Sequence, residues 1–375
     1  MNTQRIERFR RALATEDIEG AVLCQPANVT YLTGFPATGD RPSFVVIGPA
    51  RTVLVVPGSA EAARPAVSAD TALLGYPVPG STLDRVADVP RASAEALGEA
   101  LHLAGGAGRR IGVEMEHLSA LHAAVVAEVG SPVALGDQVA AMRRIKDTAE
   151  VAAIRTAVRC NDIGFAAAAR VIAPGISEFA VLGAVVNAMQ EASGIPIDLL
   201  DPTNAFISGP RTLLAAAPAT SRRLEPGDLM IIDLNPFIGQ YKGDTTRTFS
   251  IGRPTPEQQR AHDSLVRSLE AAEKAARPGV RACDVFAALL EPIADAGFGA
   301  GFHFHGGHAL GLEHVERPYI IPGDDMPLEE GMVIALEPGV YLPGIGGLRI
   351  EENYVVTARG LEALSQFPRE LVRCG

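Results

Sequence analysis

The chain is short of basic charge: its 375 residues carry 33 Lys and Arg against 44 Asp and Glu, a formal balance of −11. Such a surface repels nucleic acid and anionic membrane, so a phosphate-backbone partner is not expected. Cysteine is sparse as well. The four present, Cys24, Cys160, Cys283 and Cys374, are scattered with neither a C-x-x-C pair nor zinc-finger spacing. That pattern predicts reduced thiols in a cytosolic protein and implies no disulfide. No apolar run reaches the ~20 residues of a membrane span. The segment from Met1 to Arg11 carries four arginines and no long apolar run, which excludes a secretory signal. A soluble, cytoplasmic protein with no membrane partner is expected.

Apolar residues make up 47% of the chain and charged residues 21%, the balance of an ordinary globular protein. The length predicts two domains. In the first, Ile6, Phe9 and Leu13 recur at helical spacing and Gly20 precedes the apolar stretch Ala21–Cys24. Phe44–Ile47 and Val53–Val56 follow as strands around Gly48-Pro49, then a helix over Ala92–Leu103, a strand at Ile111–Glu114 and a helix over Leu118–Val129. The pattern predicts an α/β domain over residues 1–140.

The second domain, 145–375, opens on Asp147 and Glu150, which have capping-box spacing, before a helix to about Val171 that Pro174-Gly175 ends. Ser177 caps a helix reaching Ala192, Pro256 starts one that runs to Ala276, and Cys283–Ala296 forms another. Strands are expected at Leu229–Ile232, Gly331–Leu336, Tyr341 and Gly347–Val356. The order helix, helix, hairpin, then helix, helix, hairpin suggests a duplicated α+β unit.

The first hairpin places Asp233 and Asp244 on opposite arms, eleven positions apart. Opposed residues on neighbouring strands sit roughly 5 Å apart, and two carboxylates that close repel unless a cation lies between them. They are either turn-flanking aspartates facing water or ligands of a hard divalent metal. The second hairpin mirrors the first, with Glu337 and Glu351 fourteen positions apart. Between the hairpins lies Gly306-Gly307-His308-Ala309-Leu310-Gly311, a histidine among glycines that permit close backbone approach.

Asp233 and Asp244 in a D-x10-D-x-T-R-T run, Gly307-His308-x-x-Gly311, Glu337-Pro338-Gly339 and Arg349-x-Glu351 together resemble the pita-bread metallohydrolases. That family includes Xaa-Pro aminopeptidases, prolidases, methionine aminopeptidases and metal-free creatinases. Residues 1–140, with Asn28-Val29-Thr30-Tyr31-Leu32-Thr33-Gly34-Phe35, are similar to the creatinase-type N-terminal domain. The resemblance implies a pita-bread catalytic domain holding two divalent ions, with Asp233 on one, Asp244 and Glu351 bridging both, and His308 and Glu337 on the other. Oxygen-rich ligation with one imidazole suits manganese first, then cobalt, iron or zinc. Strand alternation puts Glu351 on the face of Arg349 and turns Glu352 away. The resemblance further implies hydrolysis of a C–N bond, with an Xaa-Pro dipeptide or short peptide as substrate, Glu337 moving the proton, Arg349 or His314 orienting the substrate, and a homodimer.

The substrate side departs from that pattern. The upstream run Ser208–Pro218 has alanine where the family carries histidine, leaving Arg211 as a polar candidate for substrate contact. Seven residues past His308 stands Val315, with His314 one position earlier. His305 lies three residues before His308 rather than four. Either His305 and His314 fill the missing roles, or they and His303 are surface or packing residues. A small-metabolite amide hydrolase or a metal-dependent lyase of the same fold is the second reading, and a non-catalytic binding module the third. Retention of all five ligand types counts against the third.

Overall fold

The computed structural model describes residues 2–49, 51–79, 88–199 and 203–375. Two compact units result, Met1–Arg143 and Arg144–Gly375.

In the first unit, among the described residues, α1 (Asn2–Thr15), β1 (Gly20–Leu23), α2 (Pro26–Thr33), β2 (Phe44–Ile47), β3 (Thr52–Pro57), α3 (Ala60–Ala63), β4 (Thr71–Tyr76), α4 (Val89–Ala104), β5 (Arg110–Val113), α5 (Ala120–Val129), β6 (Ser131–Ala134) and α6 (Gln138–Arg144) succeed one another. The strands form one sheet in the order β4-β3-β2-β1-β5-β6. It is mixed: β1 runs antiparallel to β2 and parallel to β5. Val22, Phe44, Val46, Val53 and Val55 pack with Leu97, Ala100 and Leu101 of α4 into its core. Strand runs this continuously apolar are what a sheet covered by helices requires.

The second unit is built twice over. α7 (Thr148–Val171) and α8 (Glu178–Ser193) precede β7 (Ala205–Ser208), β8 (Leu229–Leu234), β9 (Phe237–Ile238), β10 (Tyr241–Lys242) and β11 (Thr245–Ile251). α9 (Pro256–Ala275) and α10 (Ala282–Asp295) precede β12 (Gly307–Ala309), β13 (Glu316–Tyr319), β14 (Val333–Leu336), β15 (Gly339–Leu342), β16 (Gly346–Arg349), β17 (Glu352–Thr357), β18 (Gly360–Ala363) and β19 (Val372–Cys374). The helix starts are local chemistry. Asp147 Oδ1 accepts from Glu150 N at 3.0 Å while Glu150 returns a carboxylate to Asp147 N at 2.9 Å, which satisfies donors that the first turn of α7 leaves open. On α9, Ala261, Leu265, Leu269 and Ala272 form a buried stripe at helical spacing and pack with Val285, Leu289 and Ile293 of α10 onto β14 and β16. α7 and α8 cover β8 and β11 in the same way.

Two long hairpins emerge from these layers. β8 pairs antiparallel with β11, Asp233 opposite Thr246, and β9 with β10 continues that register after a break. β14 pairs with β17 and β15 with β16, again in one register on both sides of a break. The second break falls at Glu337 and Glu351 and the first at Asp244, while Asp233 lies within β8.

Candidate metal centre

Continuing the register of the second hairpin through its break sets Glu337 opposite Glu351. In the first, Asp244 lies two residues before Thr246, the partner of Asp233, so the two aspartates are diagonal neighbours on one face. The residue directly opposite Asp233 is Thr246. Asp244 is fixed through its peptide: its N–H donates to Asn353 Oδ1 at 2.9 Å, and Asn353 Nδ2 donates back to its carbonyl at 2.5 Å. Gly243 is needed beside it, since a Cβ there would meet the α7 backbone at 2.8 Å.

His308 sits in β12, between β13 and β14. Gly307 before it has φ +140° and no room for a Cβ, which would stand 2.0 Å from the Ala335 carbonyl oxygen. Only glycine permits that approach. His308 Nδ1 lies 3.0 Å from the Ala309 carbonyl oxygen, an acceptor, so Nδ1 carries the proton and Nε2 turns its lone pair toward Asp244 Oδ2 and Glu337 Oε1, both at 3.5 Å. The hairpins interlock around this centre. Thr246 Oγ1 donates to Glu351 Oε2 at 2.8 Å, and the buried Arg247 donates to the Glu351 carbonyl at 2.8 Å while its other end pairs with Glu352. Glu352 thus points away from the centre, as strand alternation predicts.

Three sets of side chains bring their ligand atoms within 4.8 Å of one another: Asp233, Asp244 and Glu351; His308, Glu337 and Glu351; Asp244, His308 and His314. Burial, opposed by Arg349 and aided by Asp244, pushes the Asp233 carboxyl up to about 6. Burial likewise lifts Glu337 to about 8 and Glu351 well above the usual carboxylate range. Burial works against Asp244 too, yet the hydrogen bond and charge of His314 hold its carboxyl low. Three buried acids and a partly buried fourth, Glu337, this close favour protons or cations. Asp233 Oδ1 is buried without a hydrogen-bond partner among the described residues. An orphaned carboxylate oxygen inside a ring of hard donors fits divalent metal ions.

The expected substrate residues divide. His305 Nδ1 faces Glu337 Oε1 at 3.3 Å and His314 Nε2 faces Asp244 Oδ2 at 2.9 Å. Burial drives His305 down to about 4, whereas Asp244 outweighs burial at His314 and raises it. Both line a cavity of about 270 Å³ with Asp233, Asp244, His308, Glu337, Arg349 and Glu351. Arg349 is held on every side: Nη2 donates to Asp233 Oδ2 at 2.5 Å, Nη1 to the Ala215 carbonyl at 3.3 Å and Tyr341 Oη at 3.2 Å, and Nε to Thr246 Oγ1 at 3.2 Å. Rather than reaching for substrate, it braces Asp233. Arg211 is corrected more fully. It does not line the cavity; it pairs with the buried Glu178 and donates to the Pro218 carbonyl at 2.8 Å, because Glu178 needs a counter-charge.

Sequence reasoning missed Tyr341, whose ring lines the cavity and whose hydroxyl meets Arg349, and the turn at Ala215. Ala215 has φ 63° and ψ −48°, and Ala216 N–H donates to the Leu214 carbonyl at 2.7 Å across it. That is a γ-turn of the rare positive-φ kind, strained for any residue with a Cβ. It aims the Ala215 carbonyl at Arg349. No glycine or asparagine marks it in the sequence.

Residues 152–358, more than half of the chain, match metallopeptidase family M24. The chain belongs to that family. Residues 5–145 match the Creatinase/Prolidase N-terminal domain. An Xaa-Pro dipeptidase of Pyrococcus horikoshii is 35% identical over 236 residues, covering 63% of this chain and 66% of that protein, so the match spans just under two thirds of the relative. The uncharacterized peptidase YqhT of Bacillus subtilis is 27% identical over 377 residues, 98% of this chain and 99% of its own. Among solved structures, an X-Pro aminopeptidase from Thermotoga maritima superposes with a TM-score of 0.84 at 26% identity, covering 98% of this chain and 99% of that one. The prolidase of Pyrococcus horikoshii gives 0.83 at 26%, covering 98% and 100%. M24 is a metallopeptidase family, and the donor set of this site fits divalent metal ions. Among the described residues no helix is long and apolar enough to cross a membrane.

Proposed function

We propose that the M24 chain is a dinuclear hydrolase that cleaves the peptide bond preceding proline in a dipeptide or short peptide with a free amino terminus. The observation that carries this reading is the sharing of ligands: Asp244, Glu351 and His308 each belong to two of the three converging sets. Of these only the carboxylates have two oxygens to share, so Asp244 and Glu351 would bridge two ions, Asp233 would complete one site and His308 and Glu337 the other. When bound, the ions act as Lewis acids on the scissile carbonyl and acidify water. Glu337 moves the proton between water and leaving nitrogen through Oε1, the atom that faces His305 and His308. His314 Nε2, 2.9 Å from Asp244, supplies a donor toward the carbonyl oxygen. Arg349 keeps Asp233 ionised.

Carboxylate oxygens with one or two imidazoles favour manganese among the divalent ions. Four free cysteines are in keeping with a cytoplasmic protein, and the family resemblance with a homodimer. The test is hydrolysis of Xaa-Pro peptides beside non-prolyl amides in manganese-supplemented buffer, with metal content measured on wild type and Asp244→Asn. About two ions per wild-type chain, both lost in the variant together with prolyl activity, is the expected result. Turnover that survives chelation sinks the reading.

A further inference from the structure

A dipeptide differs from every longer peptide and from an amide in one chemical respect at this site. Its leaving group carries a free carboxylate, ionised at neutral pH, within one residue of the scissile bond. Burying or half-burying that charge requires a cationic partner with donors to spare. Among the described residues, Arg349 is the one Lys or Arg that lines the cavity. All but one of its N–H donors are already taken, by Asp233, Tyr341, the Ala215 carbonyl and Thr246. A carboxylate arriving at Arg349 would also have to settle beside the carboxylate of Asp233. The imidazoles offer no substitute, since His305 faces Glu337 and His314, beside Asp244, is directed in the proposed reaction to the scissile carbonyl rather than to a terminal carboxylate. Nearby cations are committed elsewhere: Arg211 to Glu178, and Lys242, itself buried, to Asn235 Oδ1 at 3.2 Å and the Phe237 ring.

Apart from Thr203 and Tyr341, the rest of the cavity wall carries no polar side chain. Leu214, Phe304 and Val315 line it while remaining 59%, 51% and 44% exposed, with Ala215 and Ala216 between. Such a surface accepts a neutral peptide continuation along its length and offers nothing to a chain that ends there in charge.

Resting on the reading of the site as a hydrolase of Xaa-Pro bonds, we propose that its substrates are uncharged on the carboxyl side of the proline. The enzyme is then an aminopeptidase for tripeptides and longer chains, or for prolyl amides, and discriminates against free dipeptides.

The experiment compares alanyl-proline, alanyl-prolinamide and alanyl-prolyl-alanine on the manganese-loaded full chain. The amide and the tripeptide are expected to exceed the dipeptide in kcat/KM by roughly 10–100-fold, the range a missing charge-assisted contact produces. The difference should lie mainly in KM. Val315→Arg and, separately, Leu214→Arg place a guanidinium on the cavity wall and should narrow the ratio by improving the dipeptide. A dipeptide hydrolysed as well as the amide by wild type overturns the inference while leaving the prolyl-hydrolase reading intact. An amide preference that both arginine variants leave unchanged overturns its charge basis. Failure to cleave any of the three overturns the underlying reading and the inference with it.

Discussion

Arg349 and Asp233, 116 residues apart and on different hairpins, meet through Nη2 and Oδ2 at 2.5 Å with both side chains buried. Among the described residues the other oxygen of Asp233 finds no hydrogen-bond partner. One carboxylate is therefore steadied from behind by a permanent cation and left open in front.

Removing that cation should loosen the front as well. Arg349→Met leaves Asp233 buried without its counter-charge, and the carboxyl, already lifted to about 6 by burial, should rise further. Titration calorimetry at neutral pH is expected to show manganese binding weakened by roughly tenfold or more, and denaturant melts of the metal-free chain a loss of about 3 kcal/mol. Unchanged metal affinity would mean that Asp233 does not depend on Arg349.

His314→Ala separates two roles for the displaced histidine. As a donor to the carbonyl oxygen it contributes mainly in the transition state, so kcat on an Xaa-Pro peptide should fall about 100-fold with little change in KM or metal content. Loss of one bound ion per chain would instead make His314 a ligand, in keeping with its place beside Asp244 and His308.

Ala215→Gly tests the strained turn. The substitution removes a buried methyl group but frees a residue held at φ 63° and ψ −48°. Strain of about 1–3 kcal/mol offsets a methyl worth roughly 1 kcal/mol. The variant should melt at or above the wild-type temperature, whereas any other buried alanine changed to glycine should lower it. A fall of several degrees would show the turn to be unstrained.

His262 gives the fold a defined acid limit. It is buried in α9, and burial pushes its pKa from about 6.5 down to about 4. Between those values the unfolded chain binds a proton that the folded chain refuses, so this contribution is complete above pH 6.5 and is lost as pH falls toward 4. The loss is on the order of 3 kcal/mol. His262→Gln should flatten the stability profile over that window, as read from urea midpoints; a profile parallel to wild type would exclude the role.

Legibility in the sequence followed the range of the interactions. Asp147 with Glu150 announced α7 because a capping box is complete within four residues, and Pro256 marked the start of α9 for the same reason. The acids and His308 were visible because the hairpins keep a fixed spacing between them. The four residues Ala205–Ser208 of β7 carried no such signal: a short buried apolar run does not announce its state. Arg211 was misplaced because the acid that claims it, Glu178, lies 33 residues upstream on another element. Tyr341 and the Ala215 turn escaped for a related reason, since each matters only through Arg349.

The clasp formed by Arg247 and Asn353 has a bearing on how the enzyme is loaded. Arg247 reaches the Glu351, Phe367 and Pro368 carbonyls, and Asn353 grips both sides of the Asp244 peptide, so protein atoms alone hold the two hairpins in register. These bonds use none of the candidate ligand oxygens or nitrogens, so unlike a small finger that collapses without its zinc, this chain should keep its fold through chelation and refilling, with circular dichroism before and after chelation as the check.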